Sequence, residues 1–462
     1  MQYNFYVCVN ESQQPKLIIR MITSILPLFV WVLSLSPPIH TISTLHSNSR
    51  FHSKFHSKLT TLNAKVQVLY DSTHYLHKCI EYHPEQPERI LQCVQTLQKY
   101  QASLPKTLLD IVDVSSKDRN DNTAICLTSE ELSVARQMIS LAHSESYIAK
   151  IESTCQTAKE RRILDQKDPN GFLGYIDPDT YLTTESYGVL LRATSIWIRA
   201  VKNAMTNESH DSDNNDDPMS CMALTRPPGH HATHNLANGF CIVNFAATAA
   251  IYAIESTLAS KVTILDWDIH YGQGITNILL QNSTYEQQIR YVSMHQCPAF
   301  PYQGEELRLW GQSENIFTVP VFPGMTWEGG YQELFENIVL PFVSSSSSND
   351  DDKDGDYDDT NIPTENHPLH RYTVGGEWVP DLIIVCAGYD GLASDELASV
   401  NLEPKDYASM IRSLQQRIQA HHKKDGTKIG LMLGLEGGYQ LQDQKRGLSA
   451  AVLETIQALC ED

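Results

Sequence analysis

From residue 66 onward the chain alternates between short apolar runs and longer amphipathic stretches. Val66–Tyr70, Cys221–Leu224, Val262–Asp266, Ile289–Met294, Ile316–Val321, Leu382–Ala387 and Ile429–Leu433 each carry a compact apolar block and read as strands. Apolar residues recur with helical spacing in Arg89–Leu97, Ser186–Ala204, Asn244–Leu258, Tyr331–Val343 and Pro404–His421. Strands separated by helices of this length predict βαβ units, and hence an α/β fold with a central, mainly parallel sheet covered on both faces. No internal repeat is present, and residues 66–462 are expected to form one domain.

Two polar stretches interrupt this pattern. Residues 207–217 hold five acids, and residues 344–364 begin with a serine run and contain seven Asp against one Lys between 350 and 359. Both are expected to be surface insertions within one domain, because motifs on either side of them serve one site. They carry more than half of the formal net charge of −20, and without them the balance is −9. Such a chain lacks the basic excess that neutralises phosphates, which excludes direct nucleic-acid binding as its main business. Mild acidity is compatible with a cationic substrate. The ten cysteines include no CxxC pair, so a disulfide scaffold is not expected.

Residues 1–65 differ in kind. Ile22–Ser36 is apolar, follows Lys16 and Arg20, and has the length of a signal-peptide core; it is too short and too interrupted for a stable membrane span. Pro37–Ala64 contains no acid, and Glu11 is the sole acid before Asp71. This composition predicts a targeting leader of transit-peptide type, directing the mature chain to a plastid or mitochondrion. The other readings are entry into the secretory pathway, or a disordered extension or a start at Met21, which would leave the protein in the cytoplasm or nucleus.

Four of the predicted strands run into chemically loaded turns. These are Arg226-Pro-Pro-Gly-His230-His231, Asp266-Trp-Asp268-Ile-His270, Gly388-Tyr389-Asp390 and Glu436-Gly437-Gly438-Tyr439. In open α/β sheets ligands bind outside the carboxyl ends of the strands, so these turns are expected to converge on one pocket. In extended backbone Asp268 and His270 point to the same side and can reach one ion, with Asp390 as a third ligand. Three oxygen and nitrogen ligands with open positions suit catalytic Zn²⁺ or Fe²⁺. Asp266 is expected to support the site as an acceptor, His230 and His231 to move protons, and Tyr439 to donate to a developing oxyanion.

At this point the chain resembles the histone deacetylase family in the wide sense, which includes bacterial deacetylase-like amidohydrolases and acetylpolyamine hydrolases. RPPGHHA (226–232), GFCIVN (239–244), DWDIHYGQG (266–274), AGYD (387–390) and LEGGY (435–439) stand in that family's order, and the DWD and AGYD forms are similar to its class II branch. Weaker echoes lie at His83–Arg89, His143–Tyr147 and Asp177–Leu182. The resemblance implies an arginase-like three-layer fold, zinc on Asp268, His270 and Asp390, His231 as the main base, His230 as its electrostatic partner, and Tyr439 as oxyanion donor. It implies a narrow acyl-lysine channel lined by Gly239, Phe240, Gly437 and Gly438, and a structural K⁺ near Asp266, Ser293 and Met294. One departure is Gln273, which falls where the family often has Asn or Asp to orient His231. The expected activity is hydrolysis of N-acetyl-lysine in proteins. The alternatives are deacetylation of acetylpolyamines or another small acetylamine, for which Glu305–Glu306 would form an acidic gate, and an inactive acetyl-lysine-binding protein.

Overall fold

The computed structural model describes residues 66–79, 81–105, 108–115, 126–165, 171–206, 219–345, 378–425 and 428–461. The leader lies outside the described residues, as do both acidic insertions apart from Ser344 and Ser345. Those two serines belong to the fold: Ser345 pairs with Trp378 through two backbone hydrogen bonds.

Eleven strands form among the described residues: β1 (Val66–Tyr70), β2 (Leu109–Asp113), β3 (Phe172–Tyr175), β4 (Tyr181–Thr183), β5 (Ser220–Ala223), β6 (Val262–Asp266), β7 (Ile289–Gln296), β8 (Arg308–Trp310), β9 (Ile316–Val321), β10 (Leu382–Ala387) and β11 (Gly430–Leu435). Nine of them make one sheet in the order β2–β1–β5–β11–β10–β6–β7–β9–β8. Every pairing in it is parallel except β8 with β9, and β3 and β4 form a separate antiparallel hairpin.

The central strands β6, β10 and β11 are buried at every position, as strands covered on both faces must be. Their alternate side chains feed two cores. Leu265, Ile383, Val385 and Leu433 pack with helices Glu88–Gln101, Pro404–Asp425 and Leu448–Cys460 on one face. Ile264, Ile384, Cys386 and Met432 pack with helices Ser186–Thr206 and Phe245–Glu255 on the other. The result is a three-layer α/β fold of the arginase/deacetylase type.

All seven predicted strands are present. The additional elements are β2, β3 and β8, short and partly exposed, the short buried β4, and, among helices of eight residues or more, Ser129–Ala142, Glu145–Asp165, Gln273–Gln281 and Leu448–Cys460. The first of these helices does carry a sequence signature, the capping box Thr128/Glu131. The predicted helix Tyr331–Val343 is less regular than expected: Gly330 sits at φ 118° just before it, and Phe335–Val339 widens into a π turn.

One close approach holds β11 against its covering helix. Gly434 lies beneath the Trp197 indole, and a Cβ there would fall inside that ring. Trp197 cannot swing away without giving up its 2.8 Å hydrogen bond to Thr225 Oγ1. Gly434→Ala is therefore expected to destabilise the protein by about 1–3 kcal/mol, the range for an overpacked core. A urea-unfolding midpoint equal to that of the unaltered chain would contradict this.

Candidate active site

In a parallel sheet all carboxyl ends face one edge, and β5, β11, β10 and β6 are consecutive neighbours. The four loaded turns therefore emerge side by side, as the sequence led us to expect.

Asp268, His270 and Asp390 converge. One potential ligand atom from each lies within 4.8 Å of the others, and all three residues are buried. Backbone groups aim the two carboxylates: Asp268 Oδ1 accepts from His270 N at 2.9 Å, its Oδ2 from Gly437 N at 2.7 Å, and Asp390 Oδ1 from Ile269 N at 3.1 Å. His270 Nδ1 lies 2.9 Å from Asp390 Oδ2. The approach of Gly437 depends on its missing side chain, since a Cβ would run into both Asp268 and Asp390. Two carboxylates and an imidazole, buried and held from behind, fit a divalent zinc or iron ion. Burial disfavours charge on Asp268, but His230 and His270 outweigh it and hold the carboxyl well below its ordinary range.

The His230–His231 pair lies beside these donors, the two rings 4.0 Å apart. His230 Nδ1 is 3.2 Å from Asp266 Oδ2, which also accepts from Tyr291 OH at 2.9 Å. Burial works against protonation of His230, yet Asp268 and Asp266 prevail and raise its pKa to about 10. His231 goes the other way: burial, then the neighbouring His230 and His270, push it well below its ordinary value. Its Nδ1 lies 2.6 Å from Gln273 Oε1, so the amide departure noted above does contact this histidine. The loop carrying both histidines is tied to the last turn, because Glu436 Oε2 accepts from Gly229 N at 2.6 Å and from His230 N at 3.1 Å.

Phe240 and Tyr439 meet edge-on at 5.4 Å between ring centroids. Gly239 and Phe240 both have positive φ, at 50° and 68°. For Phe240 this is a strained conformation, stabilised locally by hydrogen bonds between Asn238 and Cys241 and by Thr180 Oγ1, which accepts from Phe240 N at 2.9 Å. Tyr439 follows Gly438, which has φ 112°, and the Arg89 guanidinium lies 4.6 Å from its ring centroid. Burial, opposed by Arg89 and reinforced by Asp390 and Asp268, keeps the Tyr439 hydroxyl protonated well above its ordinary pKa.

Sequence reasoning assigned no role to several residues that shape this site. Asp395 Oδ2 accepts from Tyr439 N at 2.6 Å and from Gln440 N at 3.1 Å, which fixes the turn presenting Tyr439. Phe300 packs edge-on against His231 at 5.0 Å and adds a second aromatic wall. Arg226, fully buried, forms a two-pronged ion pair with Glu85, Nε–Oε1 2.7 Å and Nη2–Oε2 2.5 Å. Phe300 carried a cue of its own, an aromatic among prolines after β7, whereas Arg226 and Glu85 lie in segments the motifs marked without revealing that they pair. At the expected cation site Ser293 lies opposite Asp266 in the β6–β7 register, with its hydroxyl 2.9 Å from His295 Nδ1. The Met294 side chain packs into the core, and its backbone pairs with Val319 of β9. Glu305 and Glu306 are exposed.

Residues 83–347 and 371–455 match the family model of the histone deacetylase domain. An uncharacterized protein of Synechocystis is 32% identical over 286 residues, covering 62% of this chain and 74% of that protein. Polyamine deacetylase HDAC10 of Danio rerio is 27% identical over 332 residues, 71% of this chain and 40% of the relative, so the chain spans less than half of that protein. The crystal structure of the HDA15 HD domain shares the fold with a TM-score of 0.60 at 23% identity, covering 86% of this chain and 90% of the other. The ordered motifs, the sheet-edge site and the match across both halves of the domain lead to one conclusion: this chain belongs to the histone deacetylase family.

Proposed function

We propose that the protein is a zinc-dependent deacetylase that hydrolyses N-acetyl-lysine in a protein or peptide, releasing acetate and lysine. The observation that carries this reading is the convergence of Asp268, His270 and Asp390 beside the His230–His231 pair, with Tyr439 and Phe240 in edge-on contact. The chemistry supplied by zinc held on those three residues is polarisation of the acyl carbonyl and acidification of water.

The remaining work falls to the chain. His231, kept neutral, accepts a proton at Nε2 from the water that attacks the carbonyl carbon. Tyr439, kept protonated, donates to the oxyanion of the tetrahedral adduct. His231 then returns its proton to the departing amine nitrogen as the carbon–nitrogen bond breaks. His230, keeping its own proton between Asp266 and Asp268, disfavours early charge on His231 and leaves it free to act as base. Exposed Tyr82, next to a His83 ring that packs edge-on against Phe240 at 4.8 Å, and exposed Tyr302, two residues beyond Phe300, supply aromatic surface suited to an extended peptide.

The test offers the full chain, loaded with zinc, an acetyl-lysine peptide and acetylated spermidine in parallel. Peptide turnover is expected, with Tyr439→Phe lowering kcat by roughly a hundredfold to a thousandfold, the cost of losing one oxyanion donor. Turnover of the polyamine alone would move the substrate to the small-molecule class named for the Danio rerio relative. Binding of the peptide without turnover of either substrate would leave an acetyl-lysine-binding role.

A further inference from the structure

Gln273 is a neutral amide beside His231, and a primary amide has two chemically opposite ends. Facing the imidazole with its oxygen, it accepts from Nδ1–H and leaves Nε2 bare to act as a base. Facing it with its NH2, it favours the other tautomer and occupies Nε2 with a proton. A carboxylate in this place would need no such choice, because both of its oxygens accept. Something else has to set the Gln273 amide.

The contacts at its far end do so. Gln273 Nε2 lies 3.0 Å from Asn238 Oδ1 and 3.5 Å from the main-chain oxygen of His231. A main-chain oxygen only accepts, so the NH2 belongs on that side and the oxygen faces His231 Nδ1. The 3.5 Å contact is long, and the 3.0 Å bond to Asn238 is the stronger of the two. Asn238 is in turn held as the first residue of the tight turn Asn238–Cys241, closed by backbone hydrogen bonds of 2.9 and 2.8 Å. This is the turn whose left-handed Gly239 and Phe240 bring the Phe240 ring to Tyr439.

We infer that Asn238 is a positioning residue of the deacetylase site: by accepting from Gln273 Nε2 it fixes the orientation of the Gln273 amide, and through it the proton on His231 Nδ1. The inference rests on the deacetylase reading for its kinetic consequence but not for its structural one. One turn then both builds the aromatic wall and sets the tautomer of the base.

The test compares the full chain with Asn238→Ala, Asn238→Asp, Gln273→Ala and the Asn238→Ala/Gln273→Ala double variant. Selective ¹⁵N labelling of histidine reads the His231 tautomer by NMR, with His231→Gln identifying the signals. The unaltered chain and Asn238→Asp, whose carboxylate still accepts from Nε2, are expected to hold the proton on Nδ1. Asn238→Ala and Gln273→Ala are expected to show a mixture of tautomers. With the acetyl-lysine peptide, Asn238→Ala should lower kcat about threefold to tenfold with KM little changed, the worth of one hydrogen bond. The double variant should be no slower than Gln273→Ala alone, and Asn238→Asp should restore the rate. An unchanged tautomer in Asn238→Ala, or losses that multiply in the double variant, would overturn the inference. If the unaltered chain does not turn over the peptide, the deacetylase reading falls, and the tautomer comparison alone still decides the role of Asn238.

Discussion

Asp268→Ala is expected to lower kcat on an acetyl-lysine peptide by about a thousandfold or more and to strip the protein of bound zinc. The Asp268 carboxylate is held from several sides. Both of its oxygens accept main-chain hydrogen bonds, one from His270 and one from Gly437, and a ligand atom of the same carboxylate lies within 4.8 Å of those of His270 and Asp390. Its charge also contributes to the protonation of His230. Removing it deletes a ligand, loosens the turn before Tyr439 and changes the state of the neighbouring imidazole together. Metal analysis and steady-state kinetics on the purified variant check the prediction, with circular dichroism to establish that the fold persists. Stoichiometric zinc together with near-normal turnover would rule out the assigned ligand set.

The second large effect is on stability. Glu85→Gln is expected to destabilise the protein by about 3–5 kcal/mol, because it leaves the fully buried Arg226 guanidinium without its counter-charge. What remains to Arg226 is the carbonyl oxygens of His74 and His77 and the hydroxyl of Tyr181, none of which is charged. The pair also shapes the response to acid. Burial alone would raise the Glu85 carboxyl, but Arg226 outweighs it and brings its pKa down to about 2 from an ordinary 4.5. A carboxyl depressed by folding stabilises the protein above its unfolded value, and that contribution is lost as pH falls from about 4.5 towards 2. His77, driven to about 3 mainly by burial, adds its own loss between 6.5 and 3. Urea titrations of both proteins should therefore differ widely at pH 7 and draw together towards pH 2. A gap that stayed constant with pH would show that Glu85 is not held ionised by Arg226. Arg226 opens the loop that ends in His230 and His231, so activity should fall along with stability.

The central strands were readable because burial on both faces forces continuous apolar runs, and the turns were readable because their polar residues follow such runs directly. The positions of Asp268, His270, Asp390 and Tyr439 are legible for that reason, as polar residues just beyond strand ends. The supporting residues were not. Glu85 reaches Arg226 across 141 positions and Asp395 reaches Tyr439 across 44. Neither spacing repeats anything a local pattern detects. Asn238 is a loop amide whose meaning depends on a side chain 35 positions away. Edge strands β2 and β8 were missed because half-exposed strands need no apolar run, and the π turn at Phe335–Val339 because its apolar residues fit an α-helix equally well.

Asp268 and His270 follow β6 and Asp390 follows β10, and these strands are hydrogen-bonded neighbours in the middle of the sheet. An ion bound there would bridge two pieces of chain that the sheet has already joined. It would contribute little to assembling the protein, unlike the metal of a zinc finger, which holds together parts that would otherwise separate. A protein built this way is expected to keep its shape whether or not the ion is present. Newly made chains could fold first and be charged later, and catalytic output would then follow the supply of metal in the surroundings rather than the number of folded molecules.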